Sequence, residues 1–437
     1  MSIGENKVAL VDKENVLSCH RRAQGKMETI PKVLVDKEED LSVYYTPGVS
    51  YVSEEIKADA NKVYDYTMKS NTIAIVSDGT RILGLGNIGP FAGLPVMEGK
   101  ALLFKKFGGV DAVPICISTK DEDEIVRLVK HISPTFGGIN IEDIESPKSF
   151  RISKRLESEL DIPVFHDDRQ GTGVVAVAAL INALKLARKG KDAKIIVNGA
   201  GSAGFGITMQ LVNSGFTDIT ALDRDGAIYD ERKGDMNDFK MEIAKHTNHK
   251  MLNGTLDELA SGADVLIGAS SPGAFKKEHI NSMNEKPIVF ALANPNPEIS
   301  YSDAKNAGAF IVATGSSDNP NQVNNLLAFP GIMRGLLDSR AKRVTYKMLH
   351  AAALVISKSV GRKLSTEYII PRATDKKYTT KTIPMIAASV AESVVAEGHA
   401  RNNITYSEAR DKASRLIKRY MRIEKRISRF MVASRSP

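Results

Sequence analysis

Cysteine is nearly absent. The 437 residues contain two, Cys19 and Cys116, 97 positions apart and in no CxxC or histidine-bearing cluster. That argues against a disulfide framework or a thiolate metal centre and leaves two free thiols, expected to be buried. No uninterrupted apolar run approaches the roughly 18 residues needed to cross a bilayer. The opening Met1-Ser2-Ile3-Gly4-Glu5-Asn6-Lys7 lacks the apolar stretch of a signal peptide. A cytoplasmic protein without a membrane partner is expected. Aromatic residues make up 6% of the chain and tryptophan is missing. No stacking platform or nucleic-acid motif is visible, so DNA or RNA is not the expected partner. The formal charge of +8 does not change this, because residues 401–437 carry 11 Lys+Arg against 3 Asp+Glu and the remainder carries 49 of each sign. The body is neutral and the tail is basic.

What is present is a soluble globular composition, 42% hydrophobic and 26% charged. The length is too great for one ordinary core, so two or three domains are expected. The reading is α/β: an N-terminal α/β substrate and metal domain over residues 1–165, then a doubly wound, parallel-sheet (Rossmann-type) dinucleotide-binding domain over 166–335. A C-terminal helical extension follows over 336–437, ending in a basic helix at about 407–431.

The chemistry gathers around residues 162–206. Val164-Phe165-His166 reads as a strand running into Asp167-Asp168, and Gly138 to Ile141 is a second strand ending in Glu142-Asp143. If the two strands are parallel neighbours, Glu142, Asp143 and Asp168 converge on one cation, and an all-oxygen set suits Mg²⁺ or Mn²⁺. The alternative is that these acids cap helices at separate strand–helix junctions. Downstream, Lys194 to Asn198 is a strand, Gly199-Ala200-Gly201-Ser202-Ala203-Gly204 a turn, and a helix follows. Asp223 ends the next strand, 24 positions beyond Gly199. That context marks a dinucleotide site. Asp223 would accept hydrogen bonds from the adenosine ribose and repel a 2′-phosphate, favouring NAD, whereas the adjacent Arg224 would accommodate NADP.

Further strands at Val265–Gly268, Ile288–Leu292 and Phe310–Thr314 each end in small or polar residues, where ligands bind in such sheets. An earlier GxGxxG, Gly84 to Gly89, is read as a decoy, because Pro90 and Gly93 follow where the dinucleotide fold needs a helix. That loop instead brings Arg81 to a substrate carboxylate. Lys100 begins an apolar stretch of a helix starting near Pro95, and partial burial is expected to lower its pKa. Tyr45 is placed where a strand meets the Pro47-Gly48 turn, and Val110–Ile117 reads as a buried strand. In the last helix Ala409, Ala413, Leu416, Tyr420, Ile423, Ile427 and Phe430 form a three-heptad seam. It would pair with a symmetry mate or lie along its own chain.

Seven ordered motifs then carry a family resemblance. Tyr45-Thr46-Pro47-Gly48-Val49, Ser77-Asp78-Gly79-Thr80-Arg81, Pro95-Val96 to Gly99-Lys100, and Ile141-Glu142-Asp143 come first. Phe165 to Thr172, Phe290 to Pro295, and Asn324-Asn325 to Phe329-Pro330-Gly331 complete them. Together they resemble the short prokaryotic malic enzymes over residues 10–400. The resemblance implies oxidative decarboxylation of L-malate to pyruvate and CO₂ with NAD or NADP and Mg²⁺ or Mn²⁺. It implies Lys100 as general base, Tyr45 as general acid and Asp167 beside Lys100. Glu142, Asp143 and Asp168 become metal ligands, and Arg81, Asn294, Asn324 and Asn325 hold the substrate. The cofactor is expected against Thr172, Gly199, Gly201, Ser202, Ala203, Gly204, Asp223, Arg224, Ser270 and Asn294. It also implies a homodimer or higher homo-oligomer in which Tyr45 can act across subunits. Two alternatives stand beside it: a metal-independent, two-domain NAD-dependent hydroxy- or amino-acid dehydrogenase, and a non-catalytic NAD-binding regulatory protein.

Overall fold

The computed structural model describes residues 12–82 and 84–433, with side chains to residue 426. Two parallel sheets organise it. The first contains β1 (Thr72–Ser77), β2 (Asp111–Cys116), β3 (Gly138–Ile141) and β4 (Val164–His166), in the order β2-β1-β3-β4. The second contains β5 (Ile195–Asn198), β6 (Ile219–Asp223), β7 (Gly226–Ala227), β8 (Val265–Gly268), β9 (Ile288–Ala291) and β10 (Ile311–Thr314), in the order β10-β9-β8-β5-β6-β7. The strands are short and apolar because helices cover both faces; all six residues of β1 are buried. The two-residue β7, antiparallel to β6, is the one pairing the strand pattern did not announce.

Register places the chemistry. Val76 of β1 pairs with Ile141 of β3, and Ile141 pairs with His166 of β4. Ser77, Glu142 and Asp167 therefore leave the sheet side by side. In each sheet the chain runs outward in two directions from a central pair, β1 and β3 in the first and β5 and β8 in the second. Crevices at such switch points are where open α/β sheets bind ligands. The helix Thr172–Ala187 links the sheets; twelve of its sixteen residues are buried, and it shares one core with β1, β5 and β8.

Several expectations are corrected. The segment before Pro47 is the helix Glu38–Tyr44, not a strand. Glu38, Glu39 and Asp40 in its first turn complement the helix dipole, and the chain leaves helical geometry at Tyr45 as Pro47 approaches. The Gly84–Gly89 loop does open into a helix, Gly89–Gly108, with Pro90 in its first turn and Pro95 inside. Proline is tolerated at a helix start, where its missing N–H would have had no partner. Strand β2 lies at the sheet edge and is half-exposed, and Cys19 is exposed on its helix while Cys116 is half-buried. The stretch Asp167–Ala187 is in fact long and apolar enough to cross a membrane by length and composition. Its most apolar window is 78% buried inside the fold, as a core helix is.

The terminal helix, Tyr406–Ala433, packs on its own chain, against the helices Gly89–Gly108, Phe329–Asp338 and Ile383–Ala396. Its buried residues are Ala409, Ala413 and Ile417, with Met421 packed partly against the same core. This stripe steps by four and is offset from the heptad seam, whose Leu416, Tyr420 and Ile423 are half-buried beside it. The side chains of Ile427 and Phe430 lie outside the described residues.

Candidate active site

At the first switch point one ammonium is set among four carboxylates. Lys100 Nζ lies 2.5 Å from Asp167 Oδ2 and 2.7 Å from Glu142 Oε1, and 4.4 Å from the centre of the Phe329 ring. Glu142 also accepts from Asn140 Nδ2 at 2.8 Å, and Asp168 Oδ2 accepts from the Asp143 backbone N–H at 3.1 Å. Asn325 Nδ2 donates to Asp167 at 3.2 Å while its oxygen accepts from Thr172 Oγ1 at 3.2 Å. The turn that delivers Asp167 and Asp168 is π-helical, Asp167–Gly171, and leads straight into the core helix. The capping alternative does not hold. The helices after the two acidic pairs start at Lys148 and Thr172 without a side-chain cap.

Burial sets the charge states. It pushes Glu142 up to about 8, with Asp168 and Asp167 adding to it against the pull of Lys100. Asp143 and Asp168 are pushed up to about 7, again by burial first and then by neighbouring acids. Lys100 moves opposite to expectation. Burial alone would lower it, but Asp167 and Glu142 outweigh burial and hold the ammonium above its ordinary range. Beside it, His166 is fully buried with no hydrogen-bond partner on either ring nitrogen, and burial keeps it neutral.

Among the described residues no three His, Cys, Asp or Glu side chains converge closely enough to hold a metal ion. Glu142 is turned to Lys100 and Asn140. The donor chemistry nevertheless fits a hard divalent cation: the set is all oxygen, and four acids face one ammonium.

The expected substrate residues divide. Arg81 is exposed at the mouth of the cleft, its backbone N–H bonded to Asp143 O at 3.0 Å. The β1 end that carries it is braced by Asp78, which accepts from Thr80 Oγ1 at 2.6 Å and Lys148 Nζ at 2.6 Å. Asn294 is exposed, in a loop that meets the first domain where Pro295 lies against Gly84. Asn324 is used within its own turn, accepting the Leu326 N–H at 2.9 Å, and Asn325 is committed to Asp167 and Thr172. Tyr45 is 70% exposed, and no hydrogen bond joins it to the acidic cluster among the described residues.

The second switch point opens on a cavity of about 680 Å³ whose walls include Arg81, Gly199, Gly201, Asp223, Arg224 and Ser270. Gly199 has φ +125°, and a side chain there would meet Ala269 O at 2.3 Å; one at Gly204 would meet Gly199 O at 1.8 Å. Strand end and helix start, at Ser202 and Ala203, are thus brought together as a pyrophosphate cradle requires. Ser270 is fixed by Asn198 Nδ2 at 3.0 Å and by Glu298, a buried carboxylate that also accepts the Ala293 N–H at 3.0 Å.

Asp223 is not open in the way expected of it. Its oxygens accept from Arg232 Nη1 at 2.9 Å and Nη2 at 2.5 Å, from Lys240 Nζ at 2.8 Å and from the Asp225 N–H at 2.9 Å. All four acceptor positions are filled. Burial opposes ionisation, but these bonds hold the acid down to about 2. Arg224, by contrast, is 82% exposed, with one loose contact to Asp235 at 3.6 Å.

With this geometry in place, the likeness to known proteins is specific. Residues 24–157 match the family described as malic enzyme, N-terminal domain, and residues 169–395 match malic enzyme, NAD binding domain. The chain belongs to the malic enzyme family. It is 50% identical to the bifunctional malic/malolactic enzyme of Bacillus subtilis over 92% of this chain and 98% of that one. It is 48% identical to the NAD-dependent malic enzyme of Geobacillus stearothermophilus over 87% and 78%. Its structure resembles a malic enzyme from Pyrococcus horikoshii at TM-score 0.91 and 45% identity, covering 95% of this chain and 98% of that one. An NAD-dependent malic enzyme from Thermotoga maritima follows at 0.81 and 47%, covering 88% and 99%.

For a malic enzyme, the site contains residues that the motifs did not single out. Asn140, in β3, lies two positions before Glu142, which follows the strand end on the same side of the chain, a period-2 signal readable in sequence. Arg232 and Lys240 had no such mark, because only the fold brings them to Asp223. Glu298 follows the Asn294-Pro295 motif, and its burial was its only sign.

Proposed function

We propose that the chain converts L-malate to pyruvate and CO₂ while reducing NAD or NADP. The observation that carries this is the ammonium of Lys100 held between Asp167 and Glu142 at one switch point, with Arg81 shared between that site and the dinucleotide cleft at the other. Arg81 and Asn294 would hold the substrate carboxylates. The C2 hydroxyl loses its proton to Lys100 as hydride leaves C2 for the nicotinamide, giving a β-keto acid. Loss of its C4 carboxylate as CO₂ leaves the enolate of pyruvate, which takes a proton at C3. Lys100 must first surrender its own proton, and Asp167 is the acceptor at hand.

A divalent cation, Mg²⁺ or Mn²⁺, would be held by Glu142, Asp143 and Asp168 once Glu142 turns from Lys100. Bound there, it would polarise the C2 oxygen and stabilise the negative charge left by decarboxylation. Both nucleotides are admitted. Arg232 and Lys240 cancel the charge with which Asp223 would repel a 2′-phosphate, and Arg224 is free to approach one.

Tyr45 would deliver the C3 proton, and it would do so in the site of a second copy. It lies in an apolar surface with Leu41, Val43, Tyr44, Val49 and Tyr51, each 46–68% exposed. Such a surface is the mark of an interface. Mixing Lys100→Ala and Tyr45→Phe proteins tests this: mixed dimers regain turnover if the tyrosine crosses over, and none returns if it serves its own chain. A cytoplasmic location fits a reaction that draws on soluble NAD(P).

The reaction is tested by supplying L-malate, Mn²⁺ and NAD or NADP and measuring reduced nicotinamide, pyruvate and lactate. Equal amounts of reduced nicotinamide and pyruvate support the proposal. Lactate without net reduction would indicate the malolactic reaction named for the Bacillus relative, and reduced nicotinamide without pyruvate a simple dehydrogenase.

A further inference from the structure

One buried acid joins the ends of three strands beneath the dinucleotide crevice. Glu298 has no exposed surface, and among the described residues no cation pairs with it. Its Oε1 accepts the Ser270 N–H at 2.8 Å and the Ser270 hydroxyl at 3.4 Å, while its Oε2 accepts the Ala293 N–H at 3.0 Å. Ser270 Oγ also accepts from Asn198 Nδ2 at 3.0 Å. Asn198 ends β5, Ser270 follows β8 and Ala293 follows β9, three neighbours in the sheet. Room for the carboxyl group is left by Gly268, where a side chain would meet Glu298 Cδ at 2.4 Å. Burial pushes the acid up, and the Ser270 and Ala293 N–H groups pull against it.

The two loops that Glu298 joins serve different ligands in the proposed reaction. A dinucleotide crosses the crevice at the switch point between β5 and β8. With its adenosine end at Asp223 on β6 and its phosphates at the Gly199–Gly204 turn after β5, its nicotinamide half falls over the ends of β8 and β9. Ser270 is the cofactor contact there, and Asn294, the residue after Ala293, is the substrate contact.

We propose that Glu298 is a positioning residue that makes cofactor and dicarboxylate binding cooperative, an inference that rests on the reading of Ser270 and Asn294 just given. Both carboxyl oxygens are engaged, one by each loop. Moving either loop alone would leave a buried polar group without its partner, which is costly, so the two loops hold or shift together. A cofactor that fixes Ser270 also fixes Ala293, and the substrate meets Asn294 already placed. By linkage the dicarboxylate raises the affinity for the cofactor by the same factor.

The test titrates NADP calorimetrically into the full chain with Mn²⁺, without and with saturating succinate, which is malate lacking the C2 hydroxyl and so cannot be oxidised. In the parent, succinate is expected to tighten NADP about fivefold or more. Two variants break the bridge by different means, so that the test survives if one fails to fold. Glu298→Gln can accept on one side only, and Gly268→Ala displaces the carboxyl group without altering a polar side chain. In both, the effect of succinate is expected to shrink to about twofold or less, while AMP, which needs only the adenosine end, binds within about twofold of the parent. An undiminished effect of succinate in a folded variant, or no effect in the parent, would overturn the coupling. Equal weakening of AMP and NADP would overturn it in favour of a general structural role for Glu298. A parent that binds no NADP would instead refute the cofactor reading beneath it, so the two failures are distinguishable.

Discussion

The two switch points handle negative charge in opposite ways. At the first, Glu142, Asp143, Asp167 and Asp168 face the single ammonium of Lys100, and burial drives three of them up to between about 7 and 8. At the second, Asp223 is matched by Arg232 and Lys240 and held down to about 2. The same side-chain chemistry gives one site whose carboxyl groups tend to keep their protons and one whose carboxylate is ionised and paired. What distinguishes them is the supply of cations by the fold. In the proposed reaction the first site would draw on an outside cation, whereas the second would receive a nucleotide without one.

The largest predicted effect breaks the first site. Lys100→Ala is expected to lower turnover roughly a thousandfold or more while leaving NAD(P) affinity within about twofold, because the lysine sits in the acidic cluster and not in the dinucleotide cleft. Steady-state kinetics and nucleotide titration check this; near-normal turnover with weakened nucleotide binding would reverse the assignment. Next, Asp168→Asn is expected to raise the Mn²⁺ concentration for half-maximal rate about tenfold or more. An unchanged Mn²⁺ dependence would remove Asp168 from the ligand set.

Smaller effects sharpen the second site. Arg232→Ala uncovers Asp223, so kcat/KM for NADP should fall about tenfold relative to NAD, and Asp223→Asn should move the ratio the other way. The smallest effect is on stability. The folded pKa of Asp223 is depressed, so its contribution is present above the unfolded value near 3.9 and is lost as pH falls toward about 2. The parent should exceed Asp223→Asn by roughly 1–2 kcal/mol at pH 7, with the gap closing in acid unfolding below about pH 4. A gap independent of pH would show that packing, not charge, is responsible.

Much of this layout was legible in the sequence because it is local. Short apolar strands ending in Glu142-Asp143, Asp167-Asp168 and Gly199 gave the parallel sheets and both crevices, and register did the rest. Properties that depend on distant partners were not legible. The resemblance placed Asp167 beside Lys100, 67 positions away, but the direction of the shift reversed because Asp167 and Glu142 together outweigh burial. The availability of Asp223 changed because Arg232 and Lys240 fold back on it. Local rules also misled where two were in competition: Pro47 suggested extended chain at Tyr45, while the acidic first turn of Glu38–Tyr44 carried the helix up to it. The heptad seam of the terminal helix was shifted by one position at Ile417, which the core took in place of Leu416.

In the proposed reaction the acidic cluster, and not the nucleotide cleft, depends on a divalent cation. The most direct measurement titrates a chelator into the protein with L-malate and NADP present, following both turnover and NADP binding. The account predicts that turnover disappears and returns with added Mn²⁺ while NADP stays bound. Turnover that persists in excess chelator would contradict it.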